Sequence, residues 1–329
     1  SKEGLKQVFY FGNYIDPDDI PERKPISALA STNKMRYIIS KMSQDFQVTV
    51  VSPGFSTVAG YHKETIMKKN GFDIVYLSCK NGGATYINVR DVKYYLSQME
   101  KFIKEKISKD AYIVIYSSPW NNLKILQVLK RNGIMTKNNT ILEVEELYGY
   151  DKQIPILKKY IYRIVDYFSI VNIDKFIFVN ELVEKRIRTI NKKSIGTICY
   201  GEYRYDDANS NNVTNSEVIN LLYTGSIDNE RGIFIFLNAL KVFAERFPVY
   251  SKKTILKICG YFHGKSDRVI ENRFFNAIES VSRSGVEVKF CGEVREEILE
   301  EMIKHSDICV APQLINSGFS KYSFPSKIL

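Results

Sequence analysis

Long hydrophobic runs are missing from this chain of 329 residues. No apolar stretch reaches the ~18–20 residues that a membrane-crossing helix needs. The start is a turn-like stretch around Gly4 and Lys6 rather than a charged and apolar leader. Ser1 stands where an initiator Met is expected, which reads as a processed or shortened start and leaves an earlier targeting segment open. Cysteine pairs are missing too. The five cysteines, Cys79, Cys199, Cys259, Cys291 and Cys309, form no C-x-x-C and sit in or beside apolar, strand-like runs. That pattern favours reduced core packing over a redox or metal role, and a cytoplasmic location follows. No G-x-G-x-x-G supports a dinucleotide oxidoreductase, and no G-x-x-x-x-G-K-S/T supports a phosphate-binding loop of that type. His62, His263 and His305 have no metal-ligand spacing, so no metal site is expected. No G-x-S-x-G elbow is present either.

What is present is a globular composition, 44% hydrophobic, in a chain long enough for two cores. The net charge is +10 and uneven: residues 1–218 carry a balance of +8 and residues 219–329 only +2. A basic first half is either a solvated surface or an attraction to anionic lipid or a phosphate-bearing substrate. Nucleic acid is not expected as a partner, because the cations are scattered and no motif for it appears.

Apolar strands are expected at 7–11, 47–51, 72–77, 112–116, 141–144 and 175–179, with helical patterns around Met35, Ile38, Ile39 and Met42 and over 92–107. Apolar strands alternating with helices predict a parallel sheet covered on both faces, with ligands beyond the carboxyl ends of its strands. Residues 206–217, DDANSNNVTNSE, have almost nothing to bury and read as a linker. The strand–helix pattern then restarts at 219–224, 254–259, 286–291 and 307–311, and the first three of these strands end on Gly225, Gly260 and Gly292. The expected domains are therefore 1–205 and 218–329, joined by 206–217. Gly225 frees the backbone to approach a ligand. Arg231, a few residues on at the start of a helical run, is placed to pair with a phosphate or is a plain surface charge; Lys327 is a second such cation.

The second half resembles the retaining glycosyltransferases of family 4. The likeness runs through G-S-I-D-N-E-R-G at 225–232, L-K-I-C-G at 256–260, V-K-F-C-G-E-V at 288–294, E-E-I-L-E-E-M-I-K-H-S-D-I-C-V-A-P at 296–312 and F-P-S-K-I-L at 324–329. In the first half, L-E-V-E-E-L-Y at 142–148 is similar to the variant found in surface-polysaccharide clusters. The resemblance implies an α/β chain of GT-B fold, with two Rossmann-like domains and parallel sheets. It implies an enzyme that moves a sugar, with retention and without a metal or other cofactor, from a nucleoside-diphosphate sugar to a glycan or lipid-linked acceptor.

By the same resemblance, Arg231 and Lys327 neutralise the diphosphate as it leaves. Gly225 and Ser226 line the phosphate cleft; Gly260, Glu293 and Val294 lie at donor-side strand ends, the last two meeting the base. Phe324, Pro325 and Ser326 flank the sugar phosphate, and Gly12 faces the acceptor and donor sugar. Many relatives have Arg where this chain has Ser226. Tyr322 stands at the first of two positions that the family often fills with glutamate, and the second would fall just after Leu329. The chain is thus expected to stop inside a capped helix start, leaving the donor domain incomplete and the donor weakly bound, with little or no activity.

Several features keep two readings. Glu145 and Glu146, with Glu143, hold acceptor hydroxyls or assist proton transfer; otherwise they alternate with solvent while Glu143 pairs with a cation. Tyr148 and Trp120 stack on a sugar or pack in the core. Asp16-Pro17-Asp18 spells a metal-binding D-x-D, but its proline-bearing loop favours turn chemistry. The basic, aromatic run 158–163 suits peripheral contact with an anionic membrane at the inner face, or simple packing. Against the transferase stands a non-catalytic nucleotide- or glycan-binding module of the same fold. A sugar-phosphate isomerase or epimerase lacks the carboxylate pair it would need in the second half.

Overall fold

The computed structural model describes residues 4–25, 29–82, 89–116, 119–136, 138–147, 149, 155–200, 217–229, 232–262 and 268–312. They fall into two compact units, the first within 4–200 and the second within 217–312. The expected linker, apart from Glu217, lies outside the described residues.

The first unit is built on eight strands: β1 (Gln7–Phe11), β2 (Gln47–Ser52), β4 (Thr65–Lys68), β5 (Phe72–Tyr76), β7 (Tyr112–Tyr116), β8 (Thr140–Val144), β9 (Lys175–Phe178) and β10 (Ile195–Ile198). Their order is β10-β9-β8-β7-β1-β2-β5-β4. Every pair is parallel except the edge pair β4–β5, so the sheet is mixed rather than purely parallel. A small antiparallel ribbon joins β3 (Gly60–His62) and β6 (Cys79–Asn81). The helices are α1 (Leu29–Asp45), α2 (Val89–Lys106), α3 (Pro119–Arg131), α4 (Ile156–Val171) and α5 (Glu181–Ile190).

Alternation along β1 divides the core. Phe9 and Phe11 pack with Tyr95, Met99 and Phe102 of α2, Leu126 and Leu129 of α3, and Val183 and Ile187 of α5. Val8 and Tyr10 point the other way, against Met35, Ile38 and Ile39 of α1. This is the period-two rule for a sheet buried on both faces.

The second unit has a parallel sheet in the order β13-β12-β11-β14, made of β11 (Ile219–Thr224), β12 (Thr254–Cys259), β13 (Glu287–Gly292) and β14 (Ile308–Val310). Its helices are α6 (Ile233–Arg246), α7 (Pro248–Ser251), α8 (Arg268–Arg283) and α9 (Glu296–Lys304). Leu221 and Tyr223 of β11 pack with Leu256 and Ile258 of β12, Leu237 and Leu240 of α6, and Phe274 and Val281 of α8. The expectation of cover on both faces fails at the two edges of this sheet. Every second residue of β13 is exposed, and Ile308 and Cys309 of β14 are exposed. Cys291 and Cys309 are thus not core residues, whereas Cys79 and Cys259 are buried; none of the five is in a disulfide.

In the first unit the loop after β1 is held by a buried arginine. Pro17 and Pro21 start two short turns of 3-10 helix, Pro17–Asp19 and Pro21–Arg23, since a missing N–H costs nothing at a first helical position. They deliver Arg23, wholly buried, to the ends of neighbouring strands. Its Nη1 donates to the carbonyls of Gly54 at 2.9 Å and Leu77 at 3.0 Å, and its Nη2 donates to that of Lys63. Of the D-x-D, Asp16 is engaged structurally: it caps the first turn, accepting from the Asp18 N–H, and with the adjacent Asp19 pairs with Lys69. Arg23→Met leaves three carbonyls without their donor. It is expected to cost about 3 kcal/mol, a fall in Tm of roughly 6–12 °C, with Arg23→Lys recovering part of it in a thermal melt.

Candidate functional site

In both sheets the strand order reverses once. In the first, the chain goes outward from β1 through β2 to β5 and then returns to β7 on the other side of β1. In the second, it goes from β11 through β12 to β13 and returns to β14 beside β11. Connections on either side of such a reversal leave in opposite directions, opening a crevice at the strands' carboxyl ends, where ligands of these sheets bind. A surface concavity of about 540 Å³ lined by Lys6, Gln7, Ser108, Asp110 and Ala111 lies at the amino ends of β1 and β7, the wrong end for such a site.

At the reversal of the second unit the glycines form a row. Gly225 has φ 124°, and its N–H donates to the carbonyl of Cys259 at 2.8 Å. Gly260 donates to the carbonyl of Gly292 at 2.8 Å. A Cβ on Gly260 would lie 1.9 Å from the Gly225 carbonyl oxygen, so this strand end tolerates no side chain. Gly232, φ 73°, begins α6 and packs its backbone on Pro312, just past β14; a Cβ there would meet the Pro312 oxygen at 2.6 Å. The N-terminus of α6 therefore stands at the reversal, an arrangement suited to an anion.

Ser226 is buried, with its hydroxyl donating to Asp228 at 3.1 Å and its carbonyl accepting from Tyr223 at 2.8 Å. Glu293 is exposed and Val294 half-buried, just beyond β13. Arg231, Lys327, Phe324, Pro325, Ser326 and Tyr322 lie outside the described residues. A cation not anticipated from the sequence is Arg273 of α8. It donates to Asn229 at 2.7 Å and sits 4.1 Å from the Phe234 ring centre, fastening the loop between β11 and α6.

At the reversal of the first unit lies a buried polar cluster. Gly12 follows β1, and a Cβ there would meet Met35 of α1 at 2.8 Å and Tyr116 of β7 at 3.2 Å. Next to Tyr116 in the sheet is Glu143, wholly buried. Of the two readings of Glu143, pairing with a cation is not the one its contacts show. Glu143 accepts a 2.6 Å hydrogen bond from the Tyr10 hydroxyl, and the cation, Lys34 of α1, pairs with Glu145 at 2.6 Å. Burial, reinforced by the neighbouring Glu145 carboxylate, pushes Glu143 up to about 8. Burial also raises Glu145, with Lys34 pulling it back. Burial and the Glu143 charge raise Tyr10 well above the usual phenol.

The second oxygen of Glu143 is buried without a hydrogen-bond donor. The cluster thus joins Tyr10, Glu143, Glu145 and Lys34, and burial biases Glu143 towards its protonated form. Glu145, with 12% of its side chain exposed, is the least buried of this group; Glu146 beside it is half-buried. Trp120 lies in the first turn of α3, and Tyr148 is outside the described residues. Tyr10 and Lys34 were not anticipated, since nothing in local spacing links residues 133 positions apart, as Tyr10 and Glu143 are.

Two predictions follow from these contacts. Gly260→Ala is expected to cost about 2–3 kcal/mol by forcing the strand ends apart. Gly292→Ala, at φ 67° with open space around it, costs only about 1–2 kcal/mol, so the first variant melts lower. For Glu143, the folded pKa lies above the unfolded value of about 4.3, so unfolding releases a proton and stability falls as pH rises from about 4.3 to about 8. Glu143→Gln keeps the acceptor for Tyr10 and removes this dependence. It is expected to raise Tm by a few degrees at pH 8 and to match the parent near pH 4.

No protein-family model matches the chain, and comparison with curated proteins finds no match in sequence. Solved structures do match in shape. A trehalose-6-phosphate protein from Escherichia coli bound with UDP-2-fluoro glucose aligns with a TM-score of 0.65 at 10% identity, covering 95% of this chain and 79% of that one. A UDP-forming α,α-trehalose-phosphate synthase from Burkholderia xenovorans in complex with glucose-6-phosphate aligns with 0.63 at 8% identity, over 98% and 81%. A trehalose-6-phosphate synthase studied with bisubstrate glycomimetics aligns with 0.64 at 10% identity, over 93% and 78%. At such identities the likeness carries the architecture alone: the chain has the GT-B fold, two Rossmann-like units each with its strand-order reversal.

Proposed function

We propose that the protein is a retaining, metal-independent glycosyltransferase that moves a sugar from a nucleoside-diphosphate donor to a glycan or lipid-linked acceptor. The observation that carries this reading is the glycine row at Gly225, Gly260 and Gly292, standing with the α6 N-terminus at the strand-order reversal. It offers a diphosphate backbone approach without side chains and a positive helix end. The matched structures support the donor class, since one is bound with UDP-2-fluoro glucose, and they support a phosphorylated or hydroxyl-rich acceptor, since another holds glucose-6-phosphate.

In this reading the donor diphosphate lies along the glycine row, and Arg231 and Lys327 neutralise it as the glycosidic bond breaks. Phe324, Pro325 and Ser326 flank the sugar phosphate, and Glu293 and Val294 meet the base. The acceptor lies at the other reversal, over Gly12, where Glu145, fixed by Lys34, accepts hydroxyl protons with Glu146 beside it. The units divide in function at the 206–217 linker. We place the enzyme in the cytoplasm, in keeping with five cysteines outside any disulfide, and in surface-polysaccharide synthesis on the likeness of residues 142–148.

Ser226 favours a second reading. Where relatives have a cation, this residue is buried and bonded to Asp228, which suits a module that binds a nucleotide or glycan without turnover. Transfer and hydrolysis assays with UDP-, GDP-, ADP- and CDP-sugars, on a chain extended past Leu329, separate the two. Turnover with one donor is expected, with kcat falling about 100–1000-fold in Arg231→Ala. An Arg231→Ala variant with full turnover contradicts the mechanism, and binding without turnover of any donor establishes the module.

A further inference from the structure

Helix α4 of the first unit turns an apolar face to solvent. Leu157, Tyr160, Ile161, Ile164, Tyr167 and Phe168 are all exposed, Leu157 by 71% and Phe168 still by 49%. Their spacing, i, i+3, i+4, i+7, i+10 and i+11, draws one stripe along the helix. The opposite side is already used: Val165, Ser169 and Ile170 are buried. An ordinary surface helix shows water its polar face, so this one is reversed and the stripe requires an occupant.

Charge identifies it. Lys158 lies to one side of the stripe and Arg163 to the other, both exposed, and α4 contains one acid, Asp166. Asp166 is directed inward, accepting from the backbone N–H of Gly149, whose carbonyl accepts from Arg163. The outward face is therefore apolar at its centre and basic at its margins, in the more basic half of the chain. Two copies packed stripe to stripe would bring like charges together. A bilayer with anionic headgroups accepts both parts: the acyl boundary takes the leucine, isoleucines and phenylalanine, the tyrosines sit at headgroup level, and phosphates pair with the cations. Among the described residues no helix is long and apolar enough to cross a membrane, so α4 lies along the surface. We propose that α4 is a docking helix for an anionic phospholipid surface, inserting Leu157, Ile164 and Phe168 with Lys158 and Arg163 on the headgroups.

The inference is independent of catalysis, and co-sedimentation of the full chain with vesicles tests it. Binding is expected to phosphatidylcholine–phosphatidylglycerol vesicles and far less to phosphatidylcholine alone. Lys158→Glu is expected to weaken it roughly fivefold or more, and Ile164→Ser with Phe168→Ser to abolish it while leaving the circular dichroism spectrum and Tm unchanged. Absence of binding to either vesicle, equal binding to both, or variants that bind like the parent overturn the proposal. So does a dimer in analytical ultracentrifugation that Ile164→Ser dissociates, because the stripe then belongs to a second copy.

Discussion

Strands of a parallel sheet are joined by connections that must cross over one face, and those crossovers share one hand. When the order of strands reverses, the connections on the two sides go to opposite faces and the strand ends between them are left uncovered. This chain meets that constraint twice, between β1 and β7 and between β11 and β14. Among the described residues, Gly225, Ser226 and the start of α6 sit at the second reversal, and Gly12, Glu143 and Glu145 at the first. At the second, the backbone crowds so closely that glycine alone fits at 260. At the first, α1 comes over β1 closely enough that Met35 would touch a side chain at position 12.

The two reversals differ in chemistry. Around Gly225 the strand ends carry no side chain at 225 and 260, and α6 begins at Gly232 with the positive end of its dipole, while Asp228 is held by Ser226. Around Gly12 the sheet ends in a buried carboxyl biased towards its protonated form and a second carboxyl bound to a lysine. The first arrangement suits a group arriving with charge, and the second a group arriving with hydroxyls. A division of labour between donor and acceptor therefore fits the electrostatics of each unit taken by itself.

Much of the framework was legible because apolar strands such as 7–11, 112–116 and 219–224 are buried on both faces and announce themselves as continuous hydrophobic runs. The strands β3, β4, β6 and β10 went unseen: they are short, and β3, β4 and β10 are largely exposed, held by backbone pairing that composition does not record. Arg23 also escaped notice, because a charged residue in a proline-rich loop gives no sign that carbonyls of Gly54, Lys63 and Leu77 will surround it. Glu143 was visible as a carboxylate in an apolar strand, but its partner was not: Tyr10 reaches it only once β1, β7 and β8 lie side by side. The glycines were read correctly as strand ends, whereas their mutual packing emerged only from the register of β11, β12 and β13.

The central claim is that a nucleoside-diphosphate sugar is held at the carboxyl end of the second sheet. Amide hydrogen exchange with and without UDP-, GDP-, ADP- and CDP-sugars measures this directly. The account predicts that one donor slows exchange at Ser226, Asp228 and Asn229 and in the first turn of α6, beside the diphosphate. Protection confined to the amino ends of the strands, around Lys6 and Ala111, or no protection with any donor, would contradict it.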